Sequence, residues 1–467
     1  MTTLSFETLG NATLQVLEND RPILVTDPWL VGTAYFGSWA LDHDLTPAQI
    51  QHAASSPFAW ISHGHPDHLH GESLQRLSRA QRMLVPDHYH PEIRHYLEGL
   101  GFDVTVLRFK TWTPLTASIR VMCLENENQD AILVVQAGDS LIIDANDSPL
   151  AGEEPFLRRL IRRSRTSYYL ALCSLDADMI NVVDDEGRRV TTAGESHKRG
   201  AVAALADICT RLGVTHYCCF SSQHLYVRPD STWANPHRIG FADMKRYWRS
   251  AARLIEPFVT VALDDGAVTP NHPSHQSDLT RLAPSTGADD WNERMGEEDW
   301  QALERFVRKF RTLRRCLDFI GFTVAGESRV YRLSANGPGR RGVTFMAPRH
   351  SLMETVESGY FDDLLIGNFM KTHLSHLSLY PDFTPLIAKF GGNAKVYTRW
   401  QLLACRLHYF RLSPLAYARY RIQVAWLRRW KPRARAWLHA LGALETLKRW
   451  TRRIRGGFPP APMELSG

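Results

Sequence analysis

The stretch that decides the fold is Ser62-His63-Gly64-His65-Pro66-Asp67-His68-Leu69-His70. It follows the short apolar run Phe58-Ala59-Trp60-Ile61 and precedes a helical pattern over 71–80, so it turns the chain from a buried strand into a helix. In extended backbone alternate side chains point the same way, which lets His63 and His65 converge on one metal. Asp67 and His68, entering the helix, turn toward a second. Imidazole and carboxylate suit Zn, Fe or Mn, and the lack of thiolate removes the preference for a closed structural zinc site. The pattern points to an open, catalytic metal centre.

Upstream of this motif, 4–9, 12–18 and 23–25 read as three short strands, the last ending at Thr26-Asp27-Pro28. Downstream, 83–86 is a strand and 92–100 a helix closed by Gly101. Strands are expected again at 118–124, 131–136 and 141–144, with a helix over 201–212 leading into a strand at 215–220. Strands with helices outside them predict an α/β layered domain over 1–265. The composition then shifts to Pro, His, Ser, Asp and Gly, a linker over 266–296. Trp300, Leu303, Phe306, Val307, Phe310 and Leu313 follow helical spacing. With strands at 328–334 and 342–347, they make 297–398 an α+β unit.

The chain has 467 residues, of which 44% are apolar and 22% charged, a balance that excludes a disordered or fibrous protein. Seven cysteines, an odd number with no CxxC, argue for reduced thiols and against a disulfide framework or an iron–sulfur cluster. No apolar run reaches the ~18 residues that span a bilayer, and the first residues lack a signal pattern, so a cytoplasmic location is expected. The net charge of +6 is uneven: 399–455 holds fifteen Lys or Arg against the single acid Glu445, a formal +14 that leaves −8 to the rest. The main body is therefore not expected to bind nucleic acid. The segment 399–467 reads as a basic helical tail whose Trp437, Leu441 and Leu444 form an apolar seam. Such a helix is expected either to lie on an acidic membrane surface, making the protein peripheral, or to pack on the acidic body.

The HxHxDH sequence after a strand, preceded by a hairpin sheet ending in Asp27-Pro28-Trp29-Leu30, resembles the metallo-β-lactamase superfamily. That resemblance implies an αββα sandwich with a binuclear centre at one edge. It implies three further ligands: a third histidine, a bridging aspartate and a last histidine. Asp147 fits the bridge, with Asp144 as its rival, and His224 fits the last position. Where the third histidine belongs, just before the strand at 131, stands Glu125-Asn126-Glu127-Asn128-Gln129-Asp130; Glu127 or Glu125 is the expected substitute, a change that suits iron. Asp27 is expected to orient a ligand imidazole through its other ring nitrogen.

A narrower resemblance runs further. Asp27-Pro28-Trp29-Leu30-Val31-Gly32, Trp60-Ile61-Ser62, Asn146-Asp147 and Leu365-Ile366-Gly367-Asn368-Phe369 are similar to the catalytic part of the CMP-N-acetylneuraminate hydroxylase family, without the Rieske domain of its eukaryotic members. It implies two divalent metal ions, iron favoured, and an oxygenase acting on a small-molecule substrate by hydroxylation or N-oxygenation, with electrons from a separate electron-transfer protein. The competing expectations are a zinc- or manganese-dependent hydrolase of an ester, lactone or phosphodiester, and a non-catalytic metal- or substrate-binding protein. Arg228, Trp233, Asn368 and Lys371 are the expected substrate contacts.

Overall fold

A computed structural model describes residues 2–173, 180–190, 194–271, 289–311, 313–333, 339–367, 370–379, 383 and 395–426. The N-terminal hairpins form as expected: Leu4–Thr8 pairs antiparallel with Leu14–Glu18, and that strand with Arg21–Thr26. Arg21–Thr26 runs parallel to Phe58–Trp60, which is followed in parallel by Arg82–Pro86 and Asp103–Leu107. Val259–Ala262 and Val268–Pro270 extend the other edge to eight strands. A second sheet of seven is ordered Arg253–Ile255, His216–Phe220, Thr166–Leu172, Ser140–Asn146, Ala131–Ala137, Ile119–Glu125, Thr113–Pro114.

The sheets face each other because both present apolar side chains inward. Phe6, Leu14, Val16, Leu24 and Trp60 meet Val121, Leu133, Val135, Ile142 and Phe220 in one buried cluster, where each large side chain withdrawn from water is worth about 1.5–3 kcal/mol. Helices Pro47–Ala54 and Glu92–Gly99 cover the outer face of the first sheet through Ala53, Ile93 and Leu97. Glu154–Ile161, Glu195–Leu212 and Phe241–Tyr247 cover the second. The result is an αββα sandwich, the architecture that the resemblance implied. Strand alternation sends Cys218 to the inter-sheet core and Cys219 to the outer one, and none of the seven cysteines forms a disulfide.

Two local departures have physical reasons. The strand Thr166–Leu172 escaped the sequence reading because both its faces are covered, Tyr168 and Leu170 by one core and Tyr169 and Ala171 by the other, so it shows no polar alternation. The helix expected over 71–80 is a single turn, Gly71–Leu74. Ser78 ends it by accepting the N–H groups of Ala80 and Gln81, which turns the chain into the next strand.

The C-terminal unit is a five-stranded sheet, Val182–Val183, Lys371–Ser375, Gly342–Met346, Phe319–Val324, Glu327–Arg332, packed against helices Glu297–Lys309 and Arg349–Ser358. Its edge strand Val182–Val183 comes from within 1–265, so strand pairing crosses the expected boundary at 265. Helices Arg399–Leu412 and Pro414–Ala425 begin the tail, and Cys405 and Tyr409 join the core of this unit. Residues 272–288 of the linker and the tail from 427, with Trp437, Leu441 and Leu444, lie outside the described residues. Among the described residues no helix is long and apolar enough to cross a membrane.

Candidate metal centre

The strands ending at Thr26, Trp60, Asn146 and Phe220 release their chains toward one edge of the sandwich, where parallel strands of layered folds commonly present ligand sites. Three of these exits use left-handed backbone at residues other than glycine: Asp27 (φ 39°), Asn146 (φ 36°) and Ser221 (φ 50°). Such conformations cost about 1–3 kcal/mol each and persist where surroundings enforce them. Here they aim side chains. The fully buried Asp27 accepts hydrogen bonds from the Ser62 N–H (2.8 Å) and Oγ (2.7 Å) and from Asn146 Nδ2 (3.2 Å), and faces His68 Nδ1 at 2.9 Å. A carboxylate on Nδ1 leaves Nε2 of His68 as the atom that could bind a metal.

Around that atom the site is dense in donors. His68 Nε2 lies 3.3 Å from Asp67 Oδ2 and 3.5 Å from Asp147 Oδ2. His63, His68 and Asp147 each bring one ligand atom within 4.8 Å of the others. Asp67 accepts from Tyr35 Oη (2.7 Å) and Asn11 Nδ2 (2.9 Å), and Asp147 accepts from Ser221 Oγ. His224 begins the strand His224–Tyr226, which pairs with Trp39–Leu41. Its ring stacks on Trp39 at 3.7 Å and its Nδ1 meets Asn11 Oδ1 at 3.1 Å. His224 Nε2 is buried with no hydrogen-bond partner among the described residues. A second group of three joins His65 to Asp362 and Asp363 of the C-terminal unit: His65 Nδ1 is 3.0 Å from His63 Nε2, and its Nε2 is 3.4 Å from Asp362 Oδ2.

The electrostatics show a pocket short of positive charge. Burial opposes the charge on His68, but Asp67, Asp27 and Asp147 hold its pKa well above the imidazole range. At His65 burial is outweighed by the hydrogen bond and charge of Asp362, then by Asp363 and Asp67, raising it to about 10. Burial, His68 and His65 push His63 well down, and burial with Arg238 takes His224 to about 3. Burial lifts Asp130 to about 7 against the pull of His65. Protons on His65 and His68 thus meet a demand that a divalent cation would meet instead, leaving both rings as neutral ligands. Together with the unpartnered His224 Nε2, this donor set fits divalent metal.

The structure brings His63, His65, Asp67, His68, Asp147 and His224 to one edge and Asp27 directly behind them. Asp144 is buried in its strand, outside both groups. Glu127 is engaged elsewhere, accepting from Tyr417 Oη and Arg421 Nη1, both at 2.8 Å. The tight turn 126–130, closed by Asn126 N–H to the Asp130 carbonyl (3.0 Å), points Glu127 at the tail and puts Asp130 near the site, 4.0 Å from His63 Nδ1. Glu125 is buried beside His408. Arg228 pairs with Asp289 and Asp230, Trp233 lies under Arg189 at 3.9 Å, and Lys371 lies over Trp291; Asn368 falls outside the described residues. Sequence reasoning missed Asp130, Asp362, Asp363, Asn11 and Tyr35. Only Asp130 carried a signal, its place directly before a strand.

No protein-family model matches the chain. It is 29% identical over 148 residues to the cytidine monophosphate-N-acetylneuraminic acid hydroxylase of Danio rerio, covering 30% of this chain and 25% of that protein. To the Mus musculus protein of the same name it is 27% identical over 132 residues, 27% of this chain and 23% of that one. The matched stretch thus spans about a quarter of these relatives. A protein of Mycolicibacterium smegmatis named for a Rieske 2Fe-2S iron-sulfur protein is 33% identical over 88 residues, 19% of this chain and 17% of its own length. Among solved structures, the isothiocyanate hydrolase from Delia radicum gut bacteria aligns with TM-score 0.36 at 13% identity, over 58% of this chain and 99% of its own. The metallo hydrolase Igni18 from Ignicoccus hospitalis aligns with TM-score 0.34 at 15% identity, over 56% and 98%.

Proposed function

We propose that the chain is a binuclear metal-dependent enzyme whose reaction is the iron-dependent hydroxylation or N-oxygenation of a small polar molecule. The observation that carries this reading is the donor set. Beside four histidines stand Asp67, Asp147, Asp130, Asp362 and Asp363, a mixed nitrogen and carboxylate environment that suits iron better than a nitrogen-rich zinc site. The hydroxylase names of the aligned relatives support the same chemistry. Bound iron would supply the redox capacity that side chains lack. The chain's own residues do the rest: Asp27 and Ser62 orient His68 and His63, Tyr35 and Asn11 hold Asp67, and Trp39 fixes the plane of His224. Reducing equivalents would come from a separate electron-transfer protein, a reading the Rieske-named relative supports.

The test is anaerobic reconstitution with iron or zinc, followed by oxygen uptake with a reductant and a panel of small polar substrates. Substrate-dependent uptake by the iron form alone is the expected result. Oxygen-independent cleavage of an ester, lactone or phosphodiester by the zinc or manganese form would overturn it in favour of a hydrolase. Metal retention with neither reaction would leave a metal-binding protein.

For the tail we infer docking on an anionic membrane surface. Helix Arg399–Leu412 turns Cys405 and Tyr409 inward yet exposes Trp400 (80%), Leu403 (56%), Leu407 and Phe410 at i, i+3, i+7, i+10, one continuous apolar stripe. Leu415 and Ile422 of the next helix and Trp426 just after it are exposed too, as are Arg399, Arg411 and Arg419. No acid occurs from 399 to 444, so cations and apolar groups share this face, the pattern of interfacial helices. Full-length protein should sediment with anionic but not neutral vesicles, release at high salt, and fail to bind as the Leu403→Asp, Leu407→Asp variant. No sedimentation at low salt refutes the inference, and a concentration-dependent dimer lost in the same variant would reassign the stripe to a second copy of the chain.

A further inference from the structure

We propose that Asp362 and Asp363 of the C-terminal unit bind one of the two metals together with His65, replacing by two carboxylates the third histidine that the sequence lacks. This deepens the binuclear reading above and rests on it.

The two residues open the helix Asp362–Ile366. Acids in a first helical turn ordinarily face water, where the peptide dipoles favour them at no cost in burial. These two are each only 6% exposed. Adjacent buried carboxylates repel one another, and each loses hydration unless something positive replaces it. Among the described residues, the Oδ1 atoms of both are buried without a hydrogen-bond partner, and the nearest positive group is His65, whose Nε2 stands 3.4 Å from Asp362 Oδ2. One ligand atom from each of the three lies within 4.8 Å of the others. Two unpartnered buried oxygens on an imidazole make a cation site rather than a salt bridge.

The seam that creates this arrangement is pinned on both sides of the short helix. Before it, Tyr360 Oη donates to Glu92 Oε2 (2.7 Å), and Lys395 Nζ, over the Tyr360 ring at 3.9 Å, reaches the same oxygen at 2.7 Å. After it, Ser38 Oγ donates to the Gly367 carbonyl. Ile366 packs into the outer core of the first domain, and Phe36 into the core of the second. The aspartates are therefore held at the histidine motif by contacts that do not involve the metal. The rival for the role is Asp130, which approaches His63 rather than His65.

Cobalt(II) titration of the full-length apoprotein separates the possibilities, read by metal count after removal of loose ion and by the visible spectrum of the bound cobalt. Wild type should take two ions. The Asp362→Asn, Asp363→Asn variant, near isosteric, should keep one with its spectrum intact and bind the other more than about 10-fold more weakly; each single variant should show an intermediate loss. Asp130→Asn should keep both. Two ions bound by the double variant as tightly as by wild type, or loss of the second ion in Asp130→Asn alone, overturns the proposal. A wild type that binds one ion, lost in His68→Ala and kept in the double variant, also refutes the seam site while sparing the deep one. Failure of wild type to bind any ion would instead defeat the metal-dependent function itself.

Discussion

The two halves of the candidate centre are built differently. The deep half, His63, His68, Asp67 and Asp147, lies on loops leaving two packed sheets, and nearly every ligand has a buried partner: Asp27 and Ser62 behind the imidazoles, Tyr35 and Asn11 on Asp67, Ser221 on Asp147. The seam half, His65 with Asp362 and Asp363, spans 297 residues of sequence and has oxygens with no partner of their own among the described residues. A ligand held from behind keeps its geometry when the metal leaves. One whose main chain is pinned but whose oxygens have no partner of their own keeps less of it. The deep half is thus expected to bind first and more tightly, and the seam half to depend on how the domains meet.

The largest effect expected is from His68→Ala, which should remove the deep metal and all measurable turnover with the far-UV spectrum unchanged, because it deletes a ligand from a loop. Full metal content in that variant would dissolve the distinction between the halves. Asp27→Asn comes next. It keeps the shape of the group that orients His68 but removes its charge, and should weaken deep-site affinity roughly 10- to 100-fold while leaving the seam ion in place; parallel loss of both ions would show one cooperative site.

Two smaller effects sharpen the contrast between the centre and the turn beside it. Glu125 is buried, and burial, then the charge of Asp87, pushes its pKa up to about 9. An acid whose pKa is raised on folding gives full stability below its unfolded value, near 4.5, and loses it progressively as pH climbs toward 9. Glu125→Gln, neutral throughout, should therefore match wild type near pH 4 and exceed it by about 1–3 kcal/mol at pH 7 in denaturant melts, with metal content unchanged. An advantage that does not grow with pH would contradict the assignment. Glu127→Gln should cost about 1 kcal/mol, since its partner Arg421 is partly solvated, and should free the tail to proteolysis while both metals stay bound. Loss of metal there would return Glu127 to the centre.

What was legible in the sequence follows the same division. The motif 62–70 and the hairpins before it could be read because each is local, a strand, a turn and a spacing of two or three residues, but the expected convergence of His63 with His65 on one metal could not: the structure groups His63 with His68 and Asp147, and His65 with Asp362 and Asp363. Asp362 and Asp363 could not, because in sequence they are ordinary first-turn acids, and tertiary contacts on both sides of their helix, Glu92 with Tyr360 and Lys395 and Ser38 with the Gly367 carbonyl, bring them to His65. Glu127 and Asp130 show the limit within a single turn. Both stand where a ligand was expected, and a positive φ at Gln129 (61°) decides which of them faces the site.

The central claim is that this edge of the sandwich holds two metals, and the most direct test is the metal count of full-length protein loaded with iron under anaerobic conditions. The account predicts two irons per chain in wild type, falling to one when Asp362 and Asp363 are both changed to asparagine. A single iron in wild type, or none, would contradict it.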